Sequence, residues 1–336
     1  MSFVHAHRGV RITGCGSSLP DRRLTNADIE QLMDTSDEWI VKRTGIAERR
    51  VSDPDKGPST SQLGERALRK ALTDAGLAPT DLDLIVVATM TADMPTPGVG
   101  PTVAAALECG NVGAFDINGA CSGFVFSLNV AHEMVAGGRY RNVAVIGVDT
   151  ITRFVDYSTF GRGAAILFGD AASAFIIQAD ADENLGLIAE SMHTDGGGAK
   201  HLFIPTGADQ FYEDEYDDRK VNRVQMNGQA VFKFAVKKFP EVIEQTLEKA
   251  GLAAADVDHY VCHQANARIL EAARDRFGLE PERLTVNIDR YGNTVAASCP
   301  LVFDELKQAG RVEPGQKVMF IAFGAGLTWG ASLWQL

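Results

Sequence analysis

The chain has 336 residues, of which 45% are hydrophobic and 23% are charged, so it is long enough for about two globular domains. Its formal net charge of −12 argues against a nucleic-acid-binding protein, for which a basic surface is expected. No run approaches the ~20 apolar residues of a membrane span, and residues 1–8 have no apolar run of the secretory type, so no membrane or export signal is expected.

The five cysteines are scattered along the chain, and no two of them form a Cys-x-x-Cys pair. Such a set is neither a disulfide framework nor a zinc site, and it is typical of a cytoplasmic protein. No metal or redox cofactor is expected, because Gly14-Cys15-Gly16 lacks the third glycine of a dinucleotide-binding fingerprint.

The first half of the chain predicts helices that alternate with buried strands. Residues 61–75 place apolar side chains on one helical face, and Gly76 ends this predicted helix. Residues 84–88 and 143–148 are continuous apolar runs, which is typical of strands covered on both faces. This alternation predicts an α/β fold whose sheets are covered by helices.

One cysteine of the first half lies among small residues, in the Gly-Ala-Cys-Ser-Gly segment around Cys121, just before a predicted helix. A helix N-terminus lowers the pKa of a cysteine and favours the thiolate, and the glycines let a substrate approach the backbone. A buried structural cysteine is the alternative interpretation. Gly-x-Cys-x-Gly also resembles the nucleophile elbow of α/β-hydrolases, although a hydrolase would need an acid to orient its histidine.

The second half contains two further polar candidates, His263 after an apolar strand and Asn293 in a turn before a small-residue helix. A lone histidine is commonly a core or surface residue, and an asparagine before a helix is a good N-cap, so both have structural alternatives. Residues 232–250 predict a helix with a break or a kink at Pro240. Residues 206–222 are acidic and lack periodicity, and we interpret them as a surface insertion.

The chain also repeats itself. Residues 75–87 recur as residues 250–262, and the same shift places residues 143–148 over 318–323 and residues 10–12 over 185–187. One shift that matches three segments predicts a duplication. We place the two related halves at residues 1–184, with Cys121, and at residues 185–336, with His263 and Asn293.

Five motifs in this order resemble the β-ketoacyl-[acyl-carrier-protein] synthase III family of thiolase-like condensing enzymes, over nearly the whole chain. They are residues 34–46, Gly-Ala-Cys-Ser-Gly around Cys121, His-Gln-Ala-Asn from His263, Tyr-Gly-Asn-Thr around Asn293, and the glycine loop of residues 323–330. The resemblance implies a thiolase-like fold, in which duplicated halves form a five-layer αβαβα arrangement. The internal repeat agrees with this fold.

The resemblance also implies a reaction. An acyl-CoA primer would be loaded onto Cys121 as a thioester and then condensed, with loss of CO₂, with malonyl-acyl-carrier protein, which initiates fatty acid synthesis. His263 and Asn293 would donate hydrogen bonds to the thioester enolate. The backbone N–H groups of Cys121 and Ala325 would form the oxyanion hole.

Binding residues follow from the same resemblance. The positions that would bind CoA are Thr35, Trp39, Arg43, Arg162, Gly228, Phe232 and Asn266, with the adenine between Trp39 and Arg162. The positions that would meet an acidic carrier protein are Lys233, Arg268 and Arg276. Family members are homodimers that build the acyl pocket partly from the neighbouring subunit, so a homodimer is expected. They often have Phe where this chain has Thr96, which predicts room for a longer or branched primer.

Related activities stay open at this point. Elongating ketoacyl synthases have a second histidine where Asn293 stands, and thiolases use a second cysteine as a base. A 3-hydroxy-3-methylglutaryl-CoA synthase needs a catalytic glutamate, for which no motif is present. The motifs do not separate a fatty-acid enzyme from a starter-unit synthase or acyltransferase of a polyketide pathway. A non-catalytic binding protein is expected to lack one of the three polar residues, and all three are present.

Overall fold

The computed structural model describes residues 8–53, 55–212 and 217–336. Residues 1–7 lie outside the described residues, and so does most of the N-terminal segment in which the sequence shows no secretory signal. Residues 213–216 of the acidic insertion also lie outside the described residues. Among the described helices, none combines the length and the apolar character that a membrane crossing requires.

Between Glu48 and Asp180 strands and helices alternate, as the sequence predicts for the first half, whereas other parts of the chain have consecutive strands or consecutive helices. The strands are β1 (Gly9–Ser18), β2 (Arg23–Thr25), β3 (Glu48–Arg50), β4 (Leu84–Ala88), β5 (Gly113–Ile117), β6 (Asn142–Asp149), β7 (Ala171–Asp180), β8 (Gly186–Thr194), β9 (Leu202–Phe203), β10 (Gln225–Met226), β11 (His259–Cys262), β12 (Lys317–Gly324) and β13 (Thr328–Gln335). The helices are α1 (Asn26–Glu30), α2 (Asp37–Thr44), α3 (Thr60–Ala75), α4 (Val99–Ala106), α5 (Gly123–Ala136), α6 (Arg162–Ala165), α7 (Gly228–Ala250), α8 (Ala267–Phe277), α9 (Ile288–Tyr291) and α10 (Ser298–Gln308).

The first large sheet is built from five strands in the order β1-β7-β6-β4-β5. β4 is parallel to β5 and β6, while β7 is antiparallel to both β1 and β6. Every residue of β4 is buried, because Ile85 and Val87 pack under α3 and α4 while Leu84 and Val86 pack under α5. Coverage on both faces is the reason that this strand is a continuous apolar run.

The second large sheet repeats the strand order of the first, with four strands in the order β11-β12-β13-β8. An isolated parallel bridge between Tyr260 and Leu284 stands beside β11, where the first sheet has β5 beside β4. α5 and α10 pack between the two sheets, and α7 and α8 cover the outer face of the second sheet. The layers are therefore helices, sheet, helices, sheet, helices, which confirms the expected five-layer αβαβα fold.

Two local predictions need correction. α7 continues through Pro240 without a break, because Phe239, Val242 and Ile243 on its apolar face are buried against the second sheet; the alternative of a kink stays a prediction. The packing of this face offsets the one backbone hydrogen bond that a proline removes. The acidic insertion is not wholly irregular either. Its described residues include the three-residue 3₁₀ turns Ala208–Gln210 and Asp218–Lys220.

Candidate active site

A cavity of about 600 Å³ brings residues from both halves of the chain together. Cys121 comes from the first half and His263 and Asn293 from the second, and all three line this cavity. Their exposed fractions are 7%, 1% and 6%, whereas Trp39 and Phe160 on the same cavity are 37% and 53% exposed. The three polar side chains therefore lie at the buried end and the two aromatic rings at the mouth.

Cys121 lies in a tight turn between strand and helix. The turn Ala120–Ser122 is a 3₁₀ helix that separates β5 from α5, and Ala120 adopts a left-handed conformation with φ of 47°. Gly324, at the end of β12, approaches this turn so closely that an added Cβ would lie 2.8 Å from the Cys121 nitrogen. The loop that begins with Ala325 therefore lies beside the Cys121 N–H. Two backbone N–H groups that donate to one oxyanion must be close neighbours of this kind.

The expected low pKa of Cys121 is wrong. Burial, together with the negative charge of Asp149, raises the pKa of this thiol from 9.0 to about 12. A helix N-terminus is worth at most about 2 kcal/mol, whereas this increase corresponds to roughly 4 kcal/mol. Because burial outweighs the helix dipole, the resting residue is a thiol.

His263 follows β11 directly, and its backbone N–H donates to the Ile321 carbonyl at 2.7 Å. The ring of Phe323 contacts the imidazole edge-to-face with a centroid distance of 5.5 Å, which fixes the ring orientation. Burial lowers the pKa of His263 to about 3, so the imidazole is neutral near pH 7. Nδ1 is buried without a hydrogen-bond partner, so Nε2 is the nitrogen available to a ligand.

Asn293 is held by the backbone of the first half of the chain. Its N–H donates to the Leu167 carbonyl at 2.8 Å, and its carbonyl accepts from the Gly169 N–H at 3.0 Å. Its side-chain Oδ1 accepts from the Val295 N–H at 2.9 Å, which leaves the two Nδ2 protons for a ligand. Asn293 is not an N-cap, because the cap position of the Val295–Ala297 turn is Thr294; its amide instead holds the turn through Oδ1 and presents Nδ2 to a ligand.

The mouth of the cavity carries an aromatic and cationic cluster. The guanidinium carbons of Arg43 and Arg162 lie 5.5 and 5.1 Å from the centre of the Trp39 ring. A flat base between Trp39 and Arg162 needs about 7 Å, since each contact takes about 3.5 Å. The two side chains must therefore separate before an adenine could be bound between them.

The structure brings most, but not all, of the sequence-predicted binding residues to this cavity. Those that line it are Trp39, Arg43, Arg162, Gly228, Phe232, Asn266 and Arg268. Among the others, Thr35 is half-buried outside it, Lys233 is exposed on α7, Arg276 pairs with Glu244 at 2.7 Å, and Thr96 is exposed. Lining residues outside the motifs include Phe160, Leu202, Met226 and Gln229. Phe323 also lines the cavity; it begins the glycine-loop motif, but the sequence assigned no role to its side chain.

A second, much smaller cavity adjoins Cys121. It is apolar and has a volume of about 20 Å³, close to the space that one water molecule needs. The residues that line it are Met90, Ala120, Cys121, Ile151, Phe168, Leu202, Phe203, Ile204, Val224, Val295 and Ala325.

Comparisons with known proteins agree on one family. Residues 115–196 match the family 3-oxoacyl-[acyl-carrier-protein (ACP)] synthase III, and residues 247–336 match its C-terminal part. The β-ketoacyl-[acyl-carrier-protein] synthase III of Caldanaerobacter subterraneus is 43% identical over 96% of each chain. The Aquifex aeolicus 3-oxoacyl-[acyl-carrier-protein] synthase III structure has a TM-score of 0.89 and 36% identity, covering 98% of this chain and 100% of that one. The priming β-ketosynthase of the R1128 polyketide pathway has a TM-score of 0.90 and 34% identity, covering 99% and 98%.

Proposed function

Because this chain belongs to the β-ketoacyl-[acyl-carrier-protein] synthase III family, we propose that its cavity loads an acyl-CoA primer onto Cys121 and condenses it with malonyl-acyl-carrier protein. The chain is an acyltransferase-type condensing enzyme whose reaction initiates fatty acid synthesis. The observation that supports the residue assignment is the meeting of Cys121, His263 and Asn293 at the buried end of one cavity.

In the first half-reaction, the Cys121 sulfur attacks the thioester carbonyl of acyl-CoA. The carbon–sulfur bond to CoA breaks, and the proton of the Cys121 thiol leaves with the CoA thiolate as free CoA. The oxyanion that forms on the way accepts hydrogen bonds from the N–H groups of Cys121 and Ala325. The close approach of Gly324 to the Cys121 backbone supports this pairing of donors.

In the second half-reaction, malonyl-acyl-carrier protein loses CO₂ and leaves a thioester enolate. His263 donates from Nε2 and Asn293 donates from Nδ2 to the enolate oxygen, where charge develops. A neutral imidazole suits this role, because it is a hydrogen-bond donor without needing to take up a proton. The enolate carbon then attacks the acyl-Cys121 carbonyl and the new C–C bond forms. The Cys121 sulfur leaves as a thiolate, which takes one proton from solvent water to restore the thiol.

The substrates would enter at the mouth of the cavity. We assign the adenine of CoA to Trp39 and Arg162, and the pantetheine arm to the path along Gly228, Phe232 and Asn266. The carrier protein would dock on Arg268, Lys233 and Arg276, of which Arg268 reaches the cavity and packs its guanidinium 5.1 Å from the Phe232 ring. A cytoplasmic location is part of the same proposal.

The small apolar cavity beside Cys121 supports a short primer within one subunit. A volume of about 20 Å³ takes the methyl group of an acetyl unit but not a longer chain. We assign the space for longer or branched primers to a second copy, at the loop that carries Thr96. A homodimer is further supported by β5, an edge strand of the first sheet whose apolar residues Ala114, Phe115 and Ile117 are only half-buried.

The proposal is tested by incubating the protein with acyl-CoAs from acetyl to dodecanoyl and reading the intact mass. A single acyl adduct is expected, absent in Cys121→Ala and retained in Cys299→Ala, which removes another buried cysteine beside the site. Malonyl-acyl-carrier protein should then clear the adduct and yield a β-ketoacyl product. If no acyl-CoA labels the protein, the priming reaction is refuted.

A second candidate function is a starter-unit synthase of a polyketide pathway, which the similarity to the R1128 priming β-ketosynthase favours. The two candidates differ in the carrier protein that accepts the product. Parallel reactions with malonyl groups on a fatty-acid and on a polyketide carrier protein would separate them by the ratio of the two rates.

A further inference from the structure

A second polar centre lies behind the reacting residues. Asp149, the last residue of β6, has no exposed surface, yet it carries a carboxylate. Its Oδ1 accepts from the Met90 N–H at 2.9 Å, from Thr91 Oγ1 at 2.8 Å and from Thr89 Oγ1 at 3.2 Å. Its Oδ2 accepts from the Ala296 N–H at 3.2 Å. A buried carboxylate with four donors is well satisfied, although none of these donors carries a charge.

These hydrogen bonds tie together two loops that are far apart in sequence. Residues 89–91 follow β4 in the first half, whereas Ala296 belongs to the 3₁₀ turn Val295–Ala297 of the second half. That turn begins at Val295, two residues after Asn293, and the Val295 N–H donates a hydrogen bond to Asn293 Oδ1. The carboxylate therefore fixes the turn against which the Asn293 amide is oriented.

The turn needs such a support. Val295 has a φ of 52°, a left-handed conformation that is unfavourable for a β-branched residue and persists only where surrounding contacts enforce it. Gly147, on the same strand as Asp149, approaches the Ala296 carbonyl so closely that an added Cβ would lie 2.5 Å from it. β6 thus holds the turn by packing at Gly147 and by hydrogen bonding at Asp149.

Two other ionisable groups act near Asp149. Arg153 donates from its guanidinium to the carbonyls of Thr91 and Ala92, on the loop that Asp149 also binds. The Cys121 thiol is close enough to experience the negative charge of Asp149. Burial raises the pKa of Asp149 to about 6, so the carboxylate is ionised at pH 7.5 and above.

We propose that Asp149 is a positioning residue for the condensation step, which holds the Val295–Ala297 turn so that the Asn293 amide presents its Nδ2 protons to the enolate. The inference rests on the proposed function, because it assigns Asp149 to the half-reaction in which Asn293 acts. Asp149 touches no substrate. Acylation of Cys121 does not use Asn293, and the Asp149 charge acts on it in the opposite sense, by raising the pKa of the Cys121 thiol.

The test is the Asp149→Asn variant, which keeps the size of the side chain but sets an N–H₂ group against backbone and hydroxyl donors. Decarboxylation of malonyl-acyl-carrier protein is expected to fall about 10²-fold, the cost of a catalytic group displaced by about 1 Å. Acylation of Cys121 by acetyl-CoA should not fall, because its donors lie elsewhere and removal of the Asp149 charge lowers the pKa of the Cys121 thiol. Thr91→Val, which removes one donor to Oδ1, should cause a smaller loss in the same step.

Two controls separate positioning from general destabilisation. Asp170 is also fully buried, its pKa is also raised to about 6, and it accepts from Ser52 and Thr152 instead of from the Asn293 turn. Asp170→Asn should therefore leave the ratio of the two half-reactions unchanged. In an Asn293→Ala background, Asp149→Asn should cost less than about twofold in decarboxylation, since nothing remains to be positioned.

The outcomes are distinct. If both half-reactions fall equally in Asp149→Asn, or if its effect on decarboxylation persists in full without Asn293, the positioning role is refuted. If Asp149→Asn does not fold, Thr91→Val decides by the same ratio of half-reactions. If the wild-type protein neither takes an acyl group nor decarboxylates the malonyl thioester, the proposed function itself fails.

Discussion

The close approach of Gly324 to Cys121 makes the proposed oxyanion hole sensitive to a single methyl group. In Gly324→Ala the new Cβ would lie 2.8 Å from the Cys121 nitrogen and 2.9 Å from its Cβ, whereas ordinary contacts begin at 3.4 Å. These are atoms of a packed turn, and no side-chain rotation can move them away. The turn and the glycine loop must therefore separate by about 0.6 Å.

Two effects of this separation can be estimated. Overpacking of this kind costs about 1–3 kcal/mol in the free energy of unfolding, which lowers the melting temperature by a few degrees. The larger effect is on catalysis, because the Cys121 and Ala325 N–H groups no longer reach one oxygen. Loss of one donor from an oxyanion hole reduces the rate about 10²–10³-fold, and we expect this loss in the acylation of Cys121.

The assay is the rate of acetyl transfer from acetyl-CoA to Cys121, followed by intact mass, with the melting temperature measured in parallel. Gly196→Ala is the matched control, since a Cβ at Gly196 would meet no atom within 4 Å. A folded Gly324→Ala protein that acylates at the wild-type rate would refute the assignment of the oxyanion hole to this contact.

Four further outcomes follow from the site. Because burial raises the pKa of Cys121 to about 12, its alkylation by iodoacetamide should rise about tenfold per pH unit from pH 7 to 10, and a plateau near neutral pH would contradict this. Asn293→Ala should lower malonyl decarboxylation about 10²-fold in a radioactive CO₂-release assay, with acylation nearly unchanged; equal losses would refute its role. Trp39→Ala should raise the KM for acyl-CoA about tenfold in steady-state kinetics without changing kcat. Thr96→Phe should shorten the longest acyl chain seen by mass, and an unchanged limit would place the chain-length determinant elsewhere.

The local sequence pattern was sufficient to predict elements that are buried on both faces or that end at a strong termination signal. The strand at residues 84–88 was predicted with its observed bounds, because helices cover both faces and make every residue apolar. α3 ends before Gly76, as the sequence predicts, and Gly76 adopts the left-handed conformation that is common directly after a helix. The division at residues 184 and 185 stays a prediction, although β7 ends at Asp180 and β8 begins at Gly186 on either side of it.

Features of the fold and the site that depend on long-range contacts could not be predicted from the local sequence. The sequence places Cys121 before a helix, but the burial and the Asp149 charge that raise its pKa come from distant segments. Pro240 suggested a break in α7, and packing of the helix on the second sheet overrides that local preference. In the sequence, Asp149 directly follows the predicted strand of residues 143–148. Its role could not be predicted, because its four hydrogen-bond partners lie about 60 and 150 positions away.

His263 and Asn293 are both neutral and present hydrogen-bond donors to the cavity. This has a consequence for the interval between the two proposed half-reactions. A thioester on Cys121 survives only if water beside it is not activated. His263, with its pKa lowered to about 3, is a poor proton acceptor, and the free end of the Asn293 amide can only donate. With Cys121 only 7% exposed, an acyl group bound there as proposed would be stored where neither His263 nor Asn293 promotes its hydrolysis as a base. The arrangement that we propose to stabilise an enolate would therefore also lengthen the lifetime of the acyl intermediate.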